Sequence, residues 1–251
     1  MTWADENRAW RELAARHWSP RSPEPLRLRA WLASPIAWDG YDPLTIEGAL
    51  QYVVIGLETG RMPDDVFSDC PIETPLEDTD IQIPIVDDTT YGEVPIARAS
   101  CGVFSPGAIA SVRWRRTRPR ADYYGVDVVK VATAEMKAHN LPAATVVASY
   151  LDFYVVGDRS LLTRLLRDLT ELGARRGGGL GRIHGWEVAE HSDWSLQGPG
   201  GRLMRSLPHS AGEVMLGADL RECTLRAPYW HPRTRGLGWV PVQRLGAQEV
   251  A

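Results

Sequence analysis

LDFYVVGDRSLLTRLLRDLTELGARRGGGLGRIHGWEV, residues 151–188, passes through three kinds of chain, and its reading decides the fold. It opens inside ATVVASYLDFYVVG, a β-branched and aromatic run that predicts one strand. DRSLLTRLLRDLTELG then predicts a helix. Asp158 suits its N-cap, Leu161, Leu162, Leu165, Leu166, Leu169 and Leu172 form an apolar face, and Gly173 suits the stop. Five glycines fall within nine residues (Gly173, Gly177, Gly178, Gly179 and Gly181), interleaved with Arg175, Arg176 and Arg182. GRIHGWEVAEH predicts a last strand. The glycines pose a steric question. Something must lie so close to this backbone that side chains are nearly excluded while positive charge is kept.

Working outward, PLRLRAWLASP alternates Leu26, Leu28, Ala30 and Leu32 with Arg27, Arg29 and Trp31, the pattern of a half-buried strand. YDPLTIEGALQYVVIGLETG predicts a helix, with Asp42 as N-cap, Pro43 in the first turn and Gly60 as the stop. YGEVPIARASCGVF and SVRWRRTRPR predict further strands. The resulting order of strand, helix, strands, helix, strand predicts an α+β fold with a ferredoxin-like (RRM-like) core. Residues 1–24 form a helix and linker before it. In that helix Trp3, Trp10, Leu13 and His17 fall near one face, and Thr2 can cap it. The core spans 25–192. It is interrupted by an acidic insertion at 61–93, expected to be solvated or to face another protein, and by an elaborated hairpin at 105–143. Residues 193–251 are expected to form hairpins packed on the core.

At 251 residues the chain can bury a sizeable core. Its net charge of −4 hides segregation, because residues 61–93 hold ten acids and one base, Arg61. Residues 113–137 carry Arg113, Arg115, Arg116, Arg118, Arg120, Lys130 and Lys137 against three acids. The three cysteines, Cys70, Cys101 and Cys223, are odd in number and widely spaced, which predicts neither a disulfide framework nor a metal site. No apolar run is long enough to span a bilayer, and the start lacks a signal-peptide pattern, so a cytoplasmic protein is expected.

Three chemistries compete for the glycines. A Walker loop needs Gly-Lys-Ser/Thr opening a helix, and a dinucleotide site needs glycines between a strand and a following helix. The order here is helix, glycines, strand, which disfavours both. An RNA backbone lying across the loop would use bare main-chain N–H groups and the neighbouring arginines. A flexible, solvated connection fits the composition equally well. The arginine ribbon has the same two readings. Trp114 can stack a base while the arginines meet phosphates, or the charge simply keeps a strand edge soluble. His184 and His191 are candidates for acid–base chemistry. Alternation along one strand puts them on opposite faces unless a bulge intervenes.

The leucine-rich helix feeding GLGRIHGWEV resembles the RAMP superfamily of CRISPR-associated RNA-binding proteins. LRLRAWLASPIAWDGYDPLTIEGAL resembles its first strand and helix. DWSLQGPGGRLMRSLP with APYWHP resembles the tail of one branch, the Cas-five-type, Csf-three-like subunits of type IV systems. The resemblance implies a thumb-like hairpin over 105–143 and a non-catalytic subunit that caps the 5′ handle of the crRNA. It implies handle contacts from Arg175, Arg176, Gly177, Gly178, Gly179, Gly181 and Arg182, with the 113–137 region as the thumb or its base; His184, in the strand leaving the loop, is expected to be structural or an RNA contact. The implied partners are a Cas-seven-type backbone subunit and a large subunit, with the target DNA duplex near the protospacer flank as a further candidate. No catalytic residue, cofactor, metal or membrane is implied. A Cas-six-type, metal-independent endoribonuclease processing the crRNA precursor is the alternative, with His184 as its acid or base.

Overall fold

The computed structural model describes residues 3–38, 42–67, 70–71, 74–75, 79–92, 95–116, 139–174, 178–212, 215–227 and 234–242. It is a mixed α/β structure of antiparallel sheets with few helices. The chain opens with α1 (Trp3–Trp18), β1 (Pro23–Leu32) and the two-residue β2 (Ile36–Ala37). Next come α2 (Glu47–Thr59) and the short α3 (Pro63–Phe67). The short strands β3 (Asp87–Asp88), β4 (Ile96–Ala97) and β5 (Val103–Phe104) follow. A long hairpin of β6 (Ala108–Arg116) and β7 (His139–Val147) leads to β8 (Tyr150–Asp158), α4 (Arg159–Leu166) and β9 (Ile183–Glu190). The chain then forms β10 (Leu207–Pro208), β11 (Ala218–Thr224) and β12 (Arg235–Pro241).

The central sheet has the order β5-β8-β1-β9, with every neighbour antiparallel. α2 follows its first strand and α4 its third, so the connectivity is β-α-β-β-α-β. Alternation in β1 works as its sequence predicts. Leu26, Leu28 and Ala30 are fully buried and join Leu151, Phe153 and Val155 of β8 against Leu50 of α2 and Leu162 and Leu165 of α4. Burying each large aliphatic side chain contributes about 1.5–3 kcal/mol. Arg27, Arg29 and Trp31 occupy the opposite face.

Several boundaries differ from the sequence reading, each for a local reason. α2 starts at Glu47, not beside Asp42, because Gly102 N–H donates to the Leu44 carbonyl at 2.7 Å and Thr45 bridges Cys101. Gly60 ends it as predicted, in the left-handed region at φ +67 with its N–H on the Gly56 carbonyl. Asp158 caps α4, accepting from the N–H groups of Ser160 and Leu161 and also from Arg21 and Ser22. Burial opposes its ionisation, but these bonds outweigh that and hold its carboxyl at about 2. α4 stops at Leu166, short of Gly173, because Leu172 N–H turns to the Gly181 carbonyl at 2.8 Å. The run 144–157 is two strands. Ser149 and Tyr150 N–H groups both donate to Ser105 Oγ where the chain leaves the hairpin for the central sheet. The segment 91–104 is not continuous strand either. The amides of Ser100, Cys101 and Gly102 address Tyr154, Met204 and Leu44 in turn.

The acidic stretch is corrected from a solvated insertion to a partial core element: Val66, Ile81, Ile83 and Ile85 are buried in the main cluster. Asp80 pairs with Arg226 at 2.5 Å. α1 docks on α2, with Trp3 and Trp10 packed on the main core as predicted, but Ala14 and Trp18 are buried in place of the neighbouring Leu13 and His17, leaving Leu13 41% exposed. The Trp3 indole donates to the Val66 carbonyl at 2.9 Å, and the Trp18 indole to Glu58 at 2.8 Å. Thr2 lies outside the described residues. The C-terminal strands form a sheet of order β10-β12-β11 over a small core of Leu196, Leu203, Leu207 and Trp239 with Ile96. A fully buried pair of Arg205 with Glu47, the first residue of α2, ties this sheet to the rest. Among the described residues, no helix is long and apolar enough to cross a membrane.

Candidate nucleic-acid interface

The glycine loop is a closed excursion. At its base Leu172 N–H donates to the Gly181 carbonyl, Ile183 N–H to the Thr170 carbonyl, and Gly181 N–H to the Pro35 carbonyl, at 2.8, 2.9 and 2.8 Å. Glycine is required there by the protein itself. Gly181 sits at φ +72, and a Cβ on it would stand 1.8 Å from the Leu172 carbonyl oxygen. Gly173, at φ +79, would put a Cβ 2.9 Å from Ile36 and 3.1 Å from the Ala37 carbonyl oxygen. The tip differs. Gly178 is exposed, and among the described residues Gly179, at φ +79, has just the Arg182 guanidinium, at 3.9 Å, near its absent Cβ. Arg175, Arg176 and Gly177 lie outside the described residues.

Arg182 is 65% exposed and 3.8 Å from Glu171. An exposed pair of that kind contributes about 0–1 kcal/mol, so the cation is readily given up to a phosphate. His184 is exposed, and the register explains why. Trp31 pairs with Gly185 and Leu32 with Ile183, so His184 is the extra residue of a bulge. His191 lies past the end of β9, its ring 4.7 Å from Tyr154 and 4.4 Å from Trp194. The bulge does occur, but His191 is committed to aromatic packing rather than to a shared site with His184.

β6 and β7 pair from Ala108↔Val147 to Arg116↔His139. Arg113 is exposed on β6, which also carries Trp114, Arg115 and Arg116. Arg118, Arg120, Lys130 and Lys137 fall outside the described residues. The short β2 joins the two predicted sites. Ala37 pairs with Thr145 of β7 and bridges Ala174 of the glycine loop. Neighbouring strands stand about 4.8 Å apart, so loop and hairpin flank β2 at roughly twice that spacing.

A groove of about 470 Å³ adjoins the start of the loop, lined by residues including Trp38, Asp42, Thr45, Glu171 and Gly173. Asp42 and Glu171 make it a poor seat for phosphate. Among the described residues no group of His, Cys, Asp and Glu is placed to hold a metal. Cys70, Cys101 and Cys223 are unpaired with one another, and burial pushes the Cys101 thiol up to about 11, so it is inert at neutral pH. Sequence reading missed the aromatic row at this end of the sheet, Trp31 beside Tyr150. Only the strand register brings the two together.

The family model for CRISPR type IV associated protein Csf3 matches residues 115–241, just over half of the chain, and spans the glycine loop and the C-terminal sheet. No curated protein matches the chain.

Proposed function

This chain belongs to the Csf3 family of CRISPR type IV associated proteins, and we propose that it is a non-catalytic, crRNA-binding subunit that caps the 5′ handle of the guide. Its core is a RAMP-type, ferredoxin-like (RRM-like) sheet with β6–β7 as the thumb. In the complex it meets the Cas-seven-type backbone subunit and the large subunit, with the target duplex near the protospacer flank within reach. It works in the cytoplasm.

The observation that carries this reading is β2, which pairs with both the arginine-rich hairpin and the glycine loop and so lies between them. Two basic segments far apart in a net-acidic chain thereby flank one surface. RNA phosphates would meet bare main chain at Gly178 and Gly179 and the guanidinium of Arg182. Arg175, Arg176 and the hairpin arginines add charge, and base pairing rather than protein reads the target. His184 contacts RNA in this account and is assigned no catalytic role. His191 packs instead against Tyr154 and Trp194.

Salt dependence tests the proposal. Replacing Arg175, Arg176 and Arg182 together by Ala should lower the slope of log affinity against log salt by about 2, at roughly 0.7 per single-strand phosphate contact. An unchanged affinity and slope in a folded variant would remove the loop from the RNA site. Loss of precursor cleavage in His184→Ala would favour the endoribonuclease reading.

A further inference from the structure

The face of the central sheet opposite the helices carries three rows of side chains, set by the register across β8, β1 and β9. They are Tyr154, Arg27 and Ala189; Asp152, Arg29 and Glu187; and Tyr150, Trp31 and Gly185. The first row is sealed, with Tyr154 only 3% exposed beneath His191 and Trp194. In the second row the charges cancel locally. Arg29 makes two bonds to Asp152 at 2.7 and 2.8 Å, and Glu187 accepts from Arg27 at 2.6 Å. The third row is open. Trp31 is 38% exposed and is the one exposed Trp, Tyr or Phe among the described side chains.

The open row is also rigid. Trp31 and Tyr150 meet edge to face at 5.5 Å and 71°. The Arg29 guanidinium lies 3.7 Å from the Tyr150 ring centroid and 5.4 Å from that of Trp31, held there by Asp152. That neutralised arginine serves as a prop for the rings rather than as a phosphate ligand. Beside Trp31 the sheet has a gap among the described residues, because a Cβ on Gly185 would find none of them within 4 Å.

We propose that Trp31, propped by Tyr150 and Arg29 and fronting the open slot over Gly185, is a stacking platform for a base of single-stranded RNA. Its position favours that occupant. Leu32 N–H bonds the Ser149 carbonyl next to the hairpin's return strand, and Ala33 N–H bonds the carbonyl of Arg182 in the glycine loop. The platform thus lies between the two basic segments, flanked by exposed His184 and Arg182. A strand gripped at its phosphates by those segments presents its bases to this row. Aromatic faces accept any base, and a prepositioned ring loses little entropy on binding. The inference rests on the RNA-binding reading above and adds a site to it.

The test uses the full chain and a fluorescent single-stranded oligoadenylate, followed by anisotropy over a salt series. Trp31→Ala should weaken binding about 5- to 150-fold, the value of one base–aromatic stack, with the salt slope unchanged because no phosphate contact is lost. Trp31→Phe should recover most of the affinity. Gly185→Leu should fold normally and weaken binding by filling the slot. An oligonucleotide of abasic riboses should not distinguish Trp31→Ala from the parent. Failure of the parent chain to bind RNA would overturn the functional reading together with this site. Parent-like affinity in both Trp31→Ala and Gly185→Leu would overturn the platform alone. So would retained RNA affinity with loss of a copurifying subunit, which would mark Trp31 as a protein contact.

Discussion

The base and the tip of the glycine loop look alike in sequence and differ in what their glycines meet. At the base, Gly181 and Gly173 are pressed against the backbone of Leu172 and the Ile36–Ala37 strand. At the tip, Gly179 has the same left-handed backbone as Gly173 but, among the described residues, no backbone within 4 Å of its absent side chain. One end of the loop uses glycine to close the fold, and at the other a side chain on Gly179 would meet no described backbone. Left-handed φ at both ends shows that backbone conformation alone does not separate the two roles. The neighbouring atoms do.

The largest expected effect breaks the base. Gly181→Ala combines left-handed strain with a clash against the Leu172 carbonyl, a cost on the order of 3 kcal/mol, read as a lowered urea midpoint with RNA binding lost through the fold. Next is Asp158→Ala, which uncaps the helix feeding that base and should cost about 1 kcal/mol. Its pH dependence has a definite sign. The folded carboxyl is held at about 2, below the ordinary 3.8, so its contribution is complete above about pH 4 and fades as pH falls through 2. The parent's stability advantage over Asp158→Ala should shrink over that window in acid-unfolding curves. Gly179→Ala should cost about 1 kcal/mol of stability, from backbone strain without a clash, and should weaken RNA binding beyond that small loss. Smallest in stability, within about 0.5 kcal/mol, is Arg182→Ala, whose Glu171 contact is exposed. It should still lower the salt slope by about 0.7. Equal stability of Gly181→Ala and Gly179→Ala would erase the distinction between base and tip.

Much of the core was legible because local pattern and tertiary burial agreed. The alternation of Leu26, Leu28 and Ala30, the Asp158 cap and the Gly60 stop are decided within a few residues. Ile81, Ile83 and Ile85 carried the same period-two signal inside an acidic stretch whose charge masked it. Other features belong to distant pairings. The Arg205–Glu47 bond joins residues 158 apart in sequence. The row of Tyr150, Trp31 and Gly185 exists only once three strands are in register. The loop's charge and glycines were visible, but which glycines serve the fold depends on Leu172 and Pro35 arriving beneath them.

The central claim is that the chain holds the start of a guide RNA. Its most direct test is to purify the tagged protein with its complex and sequence the RNA that accompanies it. Short RNAs sharing one 5′ end, lost when Arg175, Arg176 and Arg182 become Ala, are the predicted result. RNA with scattered 5′ ends, or none in a folded preparation, would contradict it.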